Sequence, residues 1–339
     1  MKLSNQARRV QQPAGRGTRL ASLPCLAGLA GLALATSVAF AQVGEKAVRF
    51  VLPNATGSGV DTITRSAQPA LSKALGLPVI VENQPGAGGV VGVQTLTRAA
   101  PDGMTLGIVS NNLVIFPSVY KSLPFELPAD ITPIAIIGFT PIVLVVNPKV
   151  PANNAKELIA LLKSKPGEAN YASSGSGTIL HLAVEMFLDE AGVKATHVPY
   201  KGVGPMVTDL IGGQVQFGTT ALPSVQGHLK GGALRAIGMA TSKRVAAAPE
   251  IPTFVEQGLP GYVVEAWFAV VGPKGMSAAN VKRVHDAVTA AFDDPAVKEA
   301  MAKQGNVINV STSDYARDFF KSEMVKYAAL VKKAGVEAQ

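Results

Sequence analysis

Twice in this chain, once in each half, a short apolar strand runs into a glycine- and serine-rich loop that opens an amphipathic helix. In the first instance Val48-Arg49-Phe50-Val51-Leu52 is closed by Pro53, and Thr56-Gly57-Ser58-Gly59 follows. Ile63, Ala67, Leu71 and Leu75 then recur at four-residue spacing, one face of a helix that Gly76 ends. In the second, Ala169-Asn170-Tyr171-Ala172 precedes Ser173–Thr178, and Ile179/Leu180, Ala183/Val184 and Phe187/Leu188 form a helical stripe. Strand–loop–helix units in series build an α/β fold with a mostly parallel sheet. Two halves of one design point to two domains. So does the length of 339 residues, since single cores stop growing near about 250–300 residues.

The remaining elements fit between these anchors. Val79-Ile80-Val81 is a strand followed by Gln84-Pro85-Gly86-Ala87-Gly88-Gly89, and a helix then runs to about Ala100 before the turn Pro101-Asp102-Gly103. Leu106–Val109 is a third strand. The apolar run Ile134–Val146, broken by Thr140-Pro141, is too short to span a bilayer and reads as one or two buried strands. Ala155–Leu162 is helical; Val215–Phe217, Leu234–Ile237 and Val263–Val271 are extended. Two helices close the chain, one from about Ala278 and one from Thr312/Ser313 with Phe320, Met324, Tyr327 and Val331 on one face.

The charge needs to be located before it is interpreted. A net +8 over the whole chain suggests a nucleic-acid or membrane-surface partner. Yet Lys2, Arg8, Arg9, Arg16 and Arg19 all precede an apolar Leu/Ala/Gly stretch, and Ala39-Phe40-Ala41 follows it. That is the order of a secretory signal peptide, with cleavage expected after Ala41. Arg8-Arg9 lacks the apolar pair of a twin-arginine signal, and Leu23-Pro24 before Cys25 is a poor lipobox. Without the leader, 26 basic and 23 acidic side chains remain and the single Cys is gone, which suits an oxidising periplasm and excludes a nucleic-acid partner.

A Gly/Ser loop that opens a helix exposes amides without intrahelical partners, and with the helix dipole these make an anion site. Loops Asn54–Gly59 and Ser173–Thr178 both have this form, or are plain turns. Gly86-Ala87-Gly88-Gly89-Val90-Val91-Gly92 lacks the last glycine of a dinucleotide fingerprint, and no P-loop occurs. Ser173, Ser176 and His181 lie close together without a Gly-x-Ser-x-Gly elbow. His181 stands on the first turns of its helix, where it points to the cleft or bonds locally. Asp61 is a helix cap or a ligand contact; Lys201 is a cation for the site or a solvated turn residue. Trp267 and Phe268 wall the ligand or pack the hinge. The four His show no metal-ligand spacing.

These loops carry a family resemblance. Pro53-x-x-x-Gly57-x-x-x-Asp61-x-x-x-Arg65, Val81-Glu82-Asn83-Gln84-Pro85-Gly86-Ala87-Gly88-Gly89, Ala100-Pro101-Asp102-Gly103-x-Thr105-Leu106 and Leu123-Pro124-Phe125 lie in the first half. Tyr171-Ala172-Ser173-Ser174-Gly175-x-Gly177-Thr178-x-x-His181-Leu182, His197–Gly202 and Pro252-Thr253-x-x-Glu256-x-Gly258-x-Pro260-Gly261-Tyr262 lie in the second. In this order, across nearly the whole chain after the leader, they closely resemble the Bug/TctC family of periplasmic solute-binding receptors of tripartite tricarboxylate transporters. The resemblance implies an α/β two-domain periplasmic-binding-protein fold (Venus flytrap, type II), with crossing segments near Pro141–Val146 and Ala266–Val271. The expected domains are 42–141 with 267–339, and 142–266. It implies a non-enzymatic receptor that binds a small di-, tri- or aromatic carboxylate through backbone amides and waters, needs no cofactor, and serves integral-membrane transporter subunits as a monomer. Carried over, the contacts are Asn54, Thr56, Gly57, Ser58, Ala87 and Asn111 from the first domain, Thr140 at the hinge, and Ser173, Ser176, Thr178, His181 and Thr220 from the second. A sensor for a membrane kinase, or a serine hydrolase using Ser173 or Ser176 with His181, are the alternatives. The chain departs from the family pattern in having Asn54 after the proline, Gly57-Ser58 for a glycine pair, and Thr220 where an acidic residue is common. The last departure predicts a ligand without an ammonium group.

Overall fold

The computed structural model describes residues 46–338. The expected leader, with Cys25 and the cleavage point after Ala41, lies outside the described residues.

In the first lobe β1 (Val48–Leu52) leads through α1 (Gly59–Leu75) to β2 (Val79–Asn83), then α2 (Val90–Thr97), β3 (Thr105–Ser110), α3 (Asn112–Val119) and the 16-residue β4 (Ile131–Val146). The second lobe follows: α4 (Ala155–Ser164), β5 (Asn170–Ser173), α5 (Ile179–Ala191), β6 (Thr196–Pro199), α6 (Val203–Gly212), β7 (Phe217–Ala221), α7 (Leu222–Lys230) and β8 (Arg235–Met239). The chain returns through β9 (Glu265–Pro273), α8 (Ala278–Asp293), α9 (Pro295–Lys303), β10 (Val307–Ile308) and α10 (Ser313–Lys333). The first sheet runs β2-β1-β3-β9-β4, with β1 parallel to both neighbours and β9 antiparallel between β3 and β4. The second runs from β4 through β7 and β5 to β6, with β5 parallel to β6 and β7, and β8 on the other edge of β4.

β4 belongs to both sheets. Its residues Ile131–Pro141 pair with β9, and Ile142–Val146 pair with β7, so the change of sheet falls between Pro141 and Ile142. The return crossing is at Val264–Glu265: Val264 N–H donates to Ala240 O of the second lobe, and Glu265 pairs with Pro141 in the first. β9 thus lies wholly in the first sheet, which moves the second crossing ahead of the expected Ala266–Val271. Ile131–Val146 forms one continuous strand because it is buried on both faces and meets an antiparallel neighbour along its whole length.

Other boundaries shift for local reasons. α3 was not evident from periodicity, because Leu113, Val114, Ile115 and Phe116 are all buried and leave no polar face. α6 and α7, with internal Gly and Pro, gave no clear stripe either. The final segment holds three helices instead of two: Asp294 caps α9 through Ala296 N–H and Pro295 occupies its first position. α8 and α9 pack on α1, and α10 packs on α3 and β4. One buried cluster joins Phe50, Ile63, Leu71, Phe268, Val288 and Phe292 of the first lobe. The other is shared by both lobes: it joins Leu113, Phe116, Trp267 and Phe320 of the first to Phe187, Phe254 and Tyr262 of the second through β4. Among the described residues no helix is long and apolar enough to cross a membrane.

Candidate functional site

Each lobe offers one loop–helix junction to the cleft, and the two are built alike. In the first, Ser58 caps α1: Asp61 N–H donates to Ser58 Oγ (3.2 Å), and Gly57 N–H donates to Asp61 Oδ2 (2.9 Å). Arg65 Nε holds Asp61 Oδ1 at 2.8 Å, and Arg65 Nη2 donates to Asn83 Oδ1 at 2.7 Å. In the second, Thr178 caps α5: His181 N–H donates to Thr178 Oγ1 (3.3 Å), and Gly177 N–H donates to His181 Nδ1 (3.1 Å). A side chain of the first turn thus reaches back to secure an amide ahead of the helix, as in a capping box.

The cleft is closed. Ile179 N–H, the first amide of α5, donates across the lobes to Asn112 Oδ1 of α3 at 2.9 Å. Glycines let the two lips meet. Gly177 has φ +71°, and a Cβ there would fall 2.5 Å from Val119 Cγ2; Gly202 has φ +109°, and a Cβ there would fall 2.5 Å from Ala55 Cβ. Backbone conformation and lack of space both exclude a side chain at these positions.

Between the lips lies an outer cavity of about 580 Å³. It is bordered by Asn54, Ser58 and Ala87 of the first lobe and by Ser176, Thr178, Tyr200 and Lys201 of the second. An inner chamber of about 50 Å³ continues past Asn54, Ser58, Asn112 and Ser174 to Thr140, Ser224 and Trp267. The N-terminal ends of five helices border it: Gly59 and Val60 of α1, Asn111 and Asn112 of α3, Ile179 and Leu180 of α5, Val203 of α6, and Ala221 with Ser224 of α7. Thr140 Oγ1 and Ser224 Oγ are buried there without a partner among the described residues. Among the described residues Lys201 is the one charged residue around both spaces, and no carboxylate borders either.

Behind the second loop sits a buried polar cluster. The rings of His181 and His197 stack with centroids 3.9 Å apart, and Tyr171 stacks on His197 at 4.9 Å. Ser173 Oγ lies 2.6 Å from His197 Nε2 and accepts from Gly175 N–H at 3.2 Å. Tyr171 Oη donates to Glu185 Oε1, which lies 3.8 Å from His181 Nε2. Burial, and then the neighbouring His197, push His181 down to about 3; burial alone takes His197 to about 4. Burial raises the Glu185 carboxyl, against the lowering effect of the Tyr171 hydrogen bond.

The structure sorts the expected contacts into three groups. Asn54, Ser58, Ala87, Ser176, Thr178 and Thr140 border the cleft. Thr56 and Gly57 are exposed on the outer side of their loop and border neither space. Asn111 borders the inner chamber with its amide fully engaged: Nδ2 donates to Glu265 O (3.0 Å) and Tyr327 Oη (2.6 Å), and Oδ1 accepts from Trp267 N–H (2.9 Å). Three more of the expected contacts border neither space. Ser173 is fully buried and faces His197; His181 takes the local bond instead of the cleft-facing position; Thr220 is fully buried on β7, and its successor Ala221 borders the chamber instead. A Ser–His dyad aimed at substrate is therefore not built from these residues: the serine that meets a histidine is sealed, and His181 Nδ1 is already occupied.

The remaining open roles resolve as well. Asp61 is a cap, and Lys201 borders the site. Trp267 borders the inner chamber and packs its ring against Phe319 and Phe320 while its Nε1 donates to Glu323 at 2.7 Å. Phe268 is core. Asn112, Tyr120, Ser174, Tyr200 and Ser224 were missed. For Asn112 there was a signal, a second consecutive asparagine interrupting apolar sequence at the end of a strand.

Known proteins match this architecture. The sequence model described as "Tripartite tricarboxylate transporter family receptor" matches residues 63–336. Protein BugT of Bordetella pertussis is 34% identical over 319 residues, which is 92% of this chain and 98% of that protein. Among solved structures, R. palustris Rpa4515 with adipate aligns with a TM-score of 0.83 at 27% identity, over 86% of this chain and 98% of that one. MatC from Rhodopseudomonas palustris with bound malate aligns with a TM-score of 0.78 at 27% identity, over 84% and 98%.

Proposed function

From the premise that the chain belongs to the tripartite tricarboxylate transporter receptor family, we propose that it is a periplasmic receptor that closes on a small carboxylate and delivers it to the membrane subunits of a tripartite transporter. The observation that carries the reading is the convergence of five helix N-termini and Lys201 on a cleft without a bordering carboxylate. Each N-terminus brings the positive end of a helix dipole, so an anion is the species these walls stabilise. The inner chamber exceeds the roughly 30 Å³ share of one water molecule and suits a single carboxylate head. The outer cavity leaves room for the rest of the acid beside Tyr120, Tyr200 and Lys201. That two relatives were solved with adipate and malate fits this division between a common head and a variable body.

The same walls argue against an ammonium group. Thr220 does not border the cavity, so the argument rests on the absence of any carboxylate to pair with an amine there. Closing would carry residues 142–264 against the first lobe, with β4 and Val264–Glu265 as the connections, and a ligand touching both lobes would select the closed state. Residues 1–41 would direct export.

Thermal denaturation across a panel of acids tests the reading. An acid at about 100 times its Kd adds roughly 2.7 kcal/mol, a rise of roughly 4–5 °C for a chain of this size. Stabilisation by aspartate or glutamate in preference to malate, succinate and adipate would contradict it.

A further inference from the structure

Behind the cleft, the stacked pair His181–His197 is not itself used by ligand capture through the cleft walls. His181 stands at the third helical position of α5, as Asp61 does in α1, and each accepts a hydrogen bond from the glycine four residues earlier. The tautomer follows from geometry. Gly177 N–H points at Nδ1, so Nδ1 carries a lone pair and the ring proton sits on Nε2, toward Glu185. The second ring anchors the other end of the loop: Ser173 Oγ, against His197 Nε2, accepts from Gly175 N–H. The two stacked imidazoles thus hold the loop Ser173–Thr178 from behind while Ser174, Ser176 and Thr178 of that loop border the cleft on its other side.

We propose that His181 is a positioning residue for the anion site: its unprotonated Nδ1 fixes Gly177 and the loop Ser173–Thr178 in the ligand-ready arrangement, so that capture requires a neutral imidazole. The role rests on the carboxylate-receptor reading given above. A proton on Nδ1 would face Gly177 N–H donor to donor and release the loop. It would also place a cation 3.9 Å from the His197 ring. The ionisable groups around His181 are Tyr171 on β5, Glu185 on its own helix and His197 on β6. Neither α3 nor β7 carries an ionisable side chain, and Asp209, the one such residue on α6, is bonded to Tyr200 Oη at 2.8 Å. Glu185 attracts a proton onto this site, whereas burial and His197 oppose it; burial leads, and the ring stays neutral until about 3.

Two substitutions separate the acceptor from the ring. His181→Phe keeps an aromatic ring and removes the acceptor; His181→Asn keeps an acceptor near the position of Nδ1 and cannot be protonated. Amide hydrogen exchange of the ligand-free full chain is measured for residues 174–178, corrected for intrinsic rates. H181F is expected to lose about tenfold in protection there, the effect of one net hydrogen bond, and H181N to retain it. In acid, the wild type is expected to lose loop protection as pH falls toward about 3, while H181N does not. Undiminished protection in H181F overturns the proposal. So does an H181N chain that folds, melts near the wild type and still loses the loop. Calorimetry with malate and adipate is the second arm: H181F is expected to bind about tenfold more weakly and H181N like wild type. If the wild type binds no acid at all, the carboxylate reading fails, while the exchange result still decides whether His181 positions the loop.

Discussion

The two caps that face each other across the cleft solve one problem with different chemistry. Both use Gly-Ser/Thr-x-x followed by an acceptor, and both tie the glycine amide to that acceptor at about the same distance. In the first lobe the acceptor is a carboxylate neutralised by Arg65, whose side chain is 45% exposed and tied onward to Asn83. In the second it is an imidazole without charge, enclosed by Tyr171, His197 and Glu185. Among the described residues no arginine reaches the second cap, so a carboxylate at 181 would be an unpaired buried charge beside the half-buried Glu185 and directly behind an anion site. A neutral ring supplies the same acceptor without that repulsion. Its cost is that the ring can take up a proton in acid.

Exchanging the acceptors is the strongest way to break this comparison. His181→Asp is expected to destabilise the chain by about 3–5 kcal/mol, the usual effect of a buried charge left uncompensated, whereas Asp61→Asn should cost roughly 1–2 kcal/mol because Arg65 can turn to solvent. Urea unfolding of both variants measures the difference; equal losses would show that the surroundings of the two caps are interchangeable. The pH dependence of stability comes next. His181 and His197 are held below their ordinary value, so the unfolded chain binds more protons than the folded one between about 6.5 and about 3 or 4. The stability they contribute is complete above pH ~6.5 and declines as pH falls through that window, by up to about 1.4 kcal/mol per pH unit for each ring. His181→Asn should remove one ring's share of that slope in urea titrations run from pH 7 to pH 4, and an unchanged slope would assign it elsewhere.

Smaller effects concern how the caps are joined. Asn112 Oδ1 takes the first amide of α5 and so links the second cap to the first lobe. Asn112→Ala should weaken ligand binding about tenfold, with a change in melting temperature of no more than a few degrees, because the orphaned amide returns to water when the lobes part. The neighbouring Asn111→Ala should do the reverse, lowering stability by roughly 2–3 kcal/mol through the buried Trp267 N–H and Tyr327 Oη it leaves unpaired. Calorimetry and melting curves on the two variants tell them apart. The smallest change is Lys201→Ala, expected to lower affinity only roughly two- to fivefold and mainly at low salt, since its charge sits at the open side of the cavity.

Much of this was legible in the residues. The Gly/Ser loops, the helices they open and the capping role weighed for Asp61 follow from spacing alone, because caps and stripes are local. What spacing left open was the direction of a side chain whose partners are remote in sequence. Ser173 and His181 stand in the binding motif, yet one points to His197 on the neighbouring strand and the other back along its own loop. Thr220 was misplaced by one residue, which on a strand means the opposite face. Asn111 and Asn112 are adjacent and equally polar; the helix that begins between them turns one amide toward β9 and Tyr327 and the other across the cleft to α5. α3 hid because it is apolar all round, and α9 hid because it is short, although Asp294-Pro295 marked its start.

The position of β9 has a consequence for how the molecule comes into being. It lies between β3 and β4, yet it begins 119 residues after β4 ends, with the whole second sheet intervening. A chain emerging from its N-terminus can therefore complete the pairing of β5, β6, β7 and β8 from nearby sequence. β3 and the first half of β4 meanwhile wait with open edges for their shared neighbour. Loop closure over such a separation is slow and leaves unpaired strand edges exposed. The lobe that starts first is the one that finishes last, and the interval before Glu265–Pro273 docks is the time at which this protein most needs an escort.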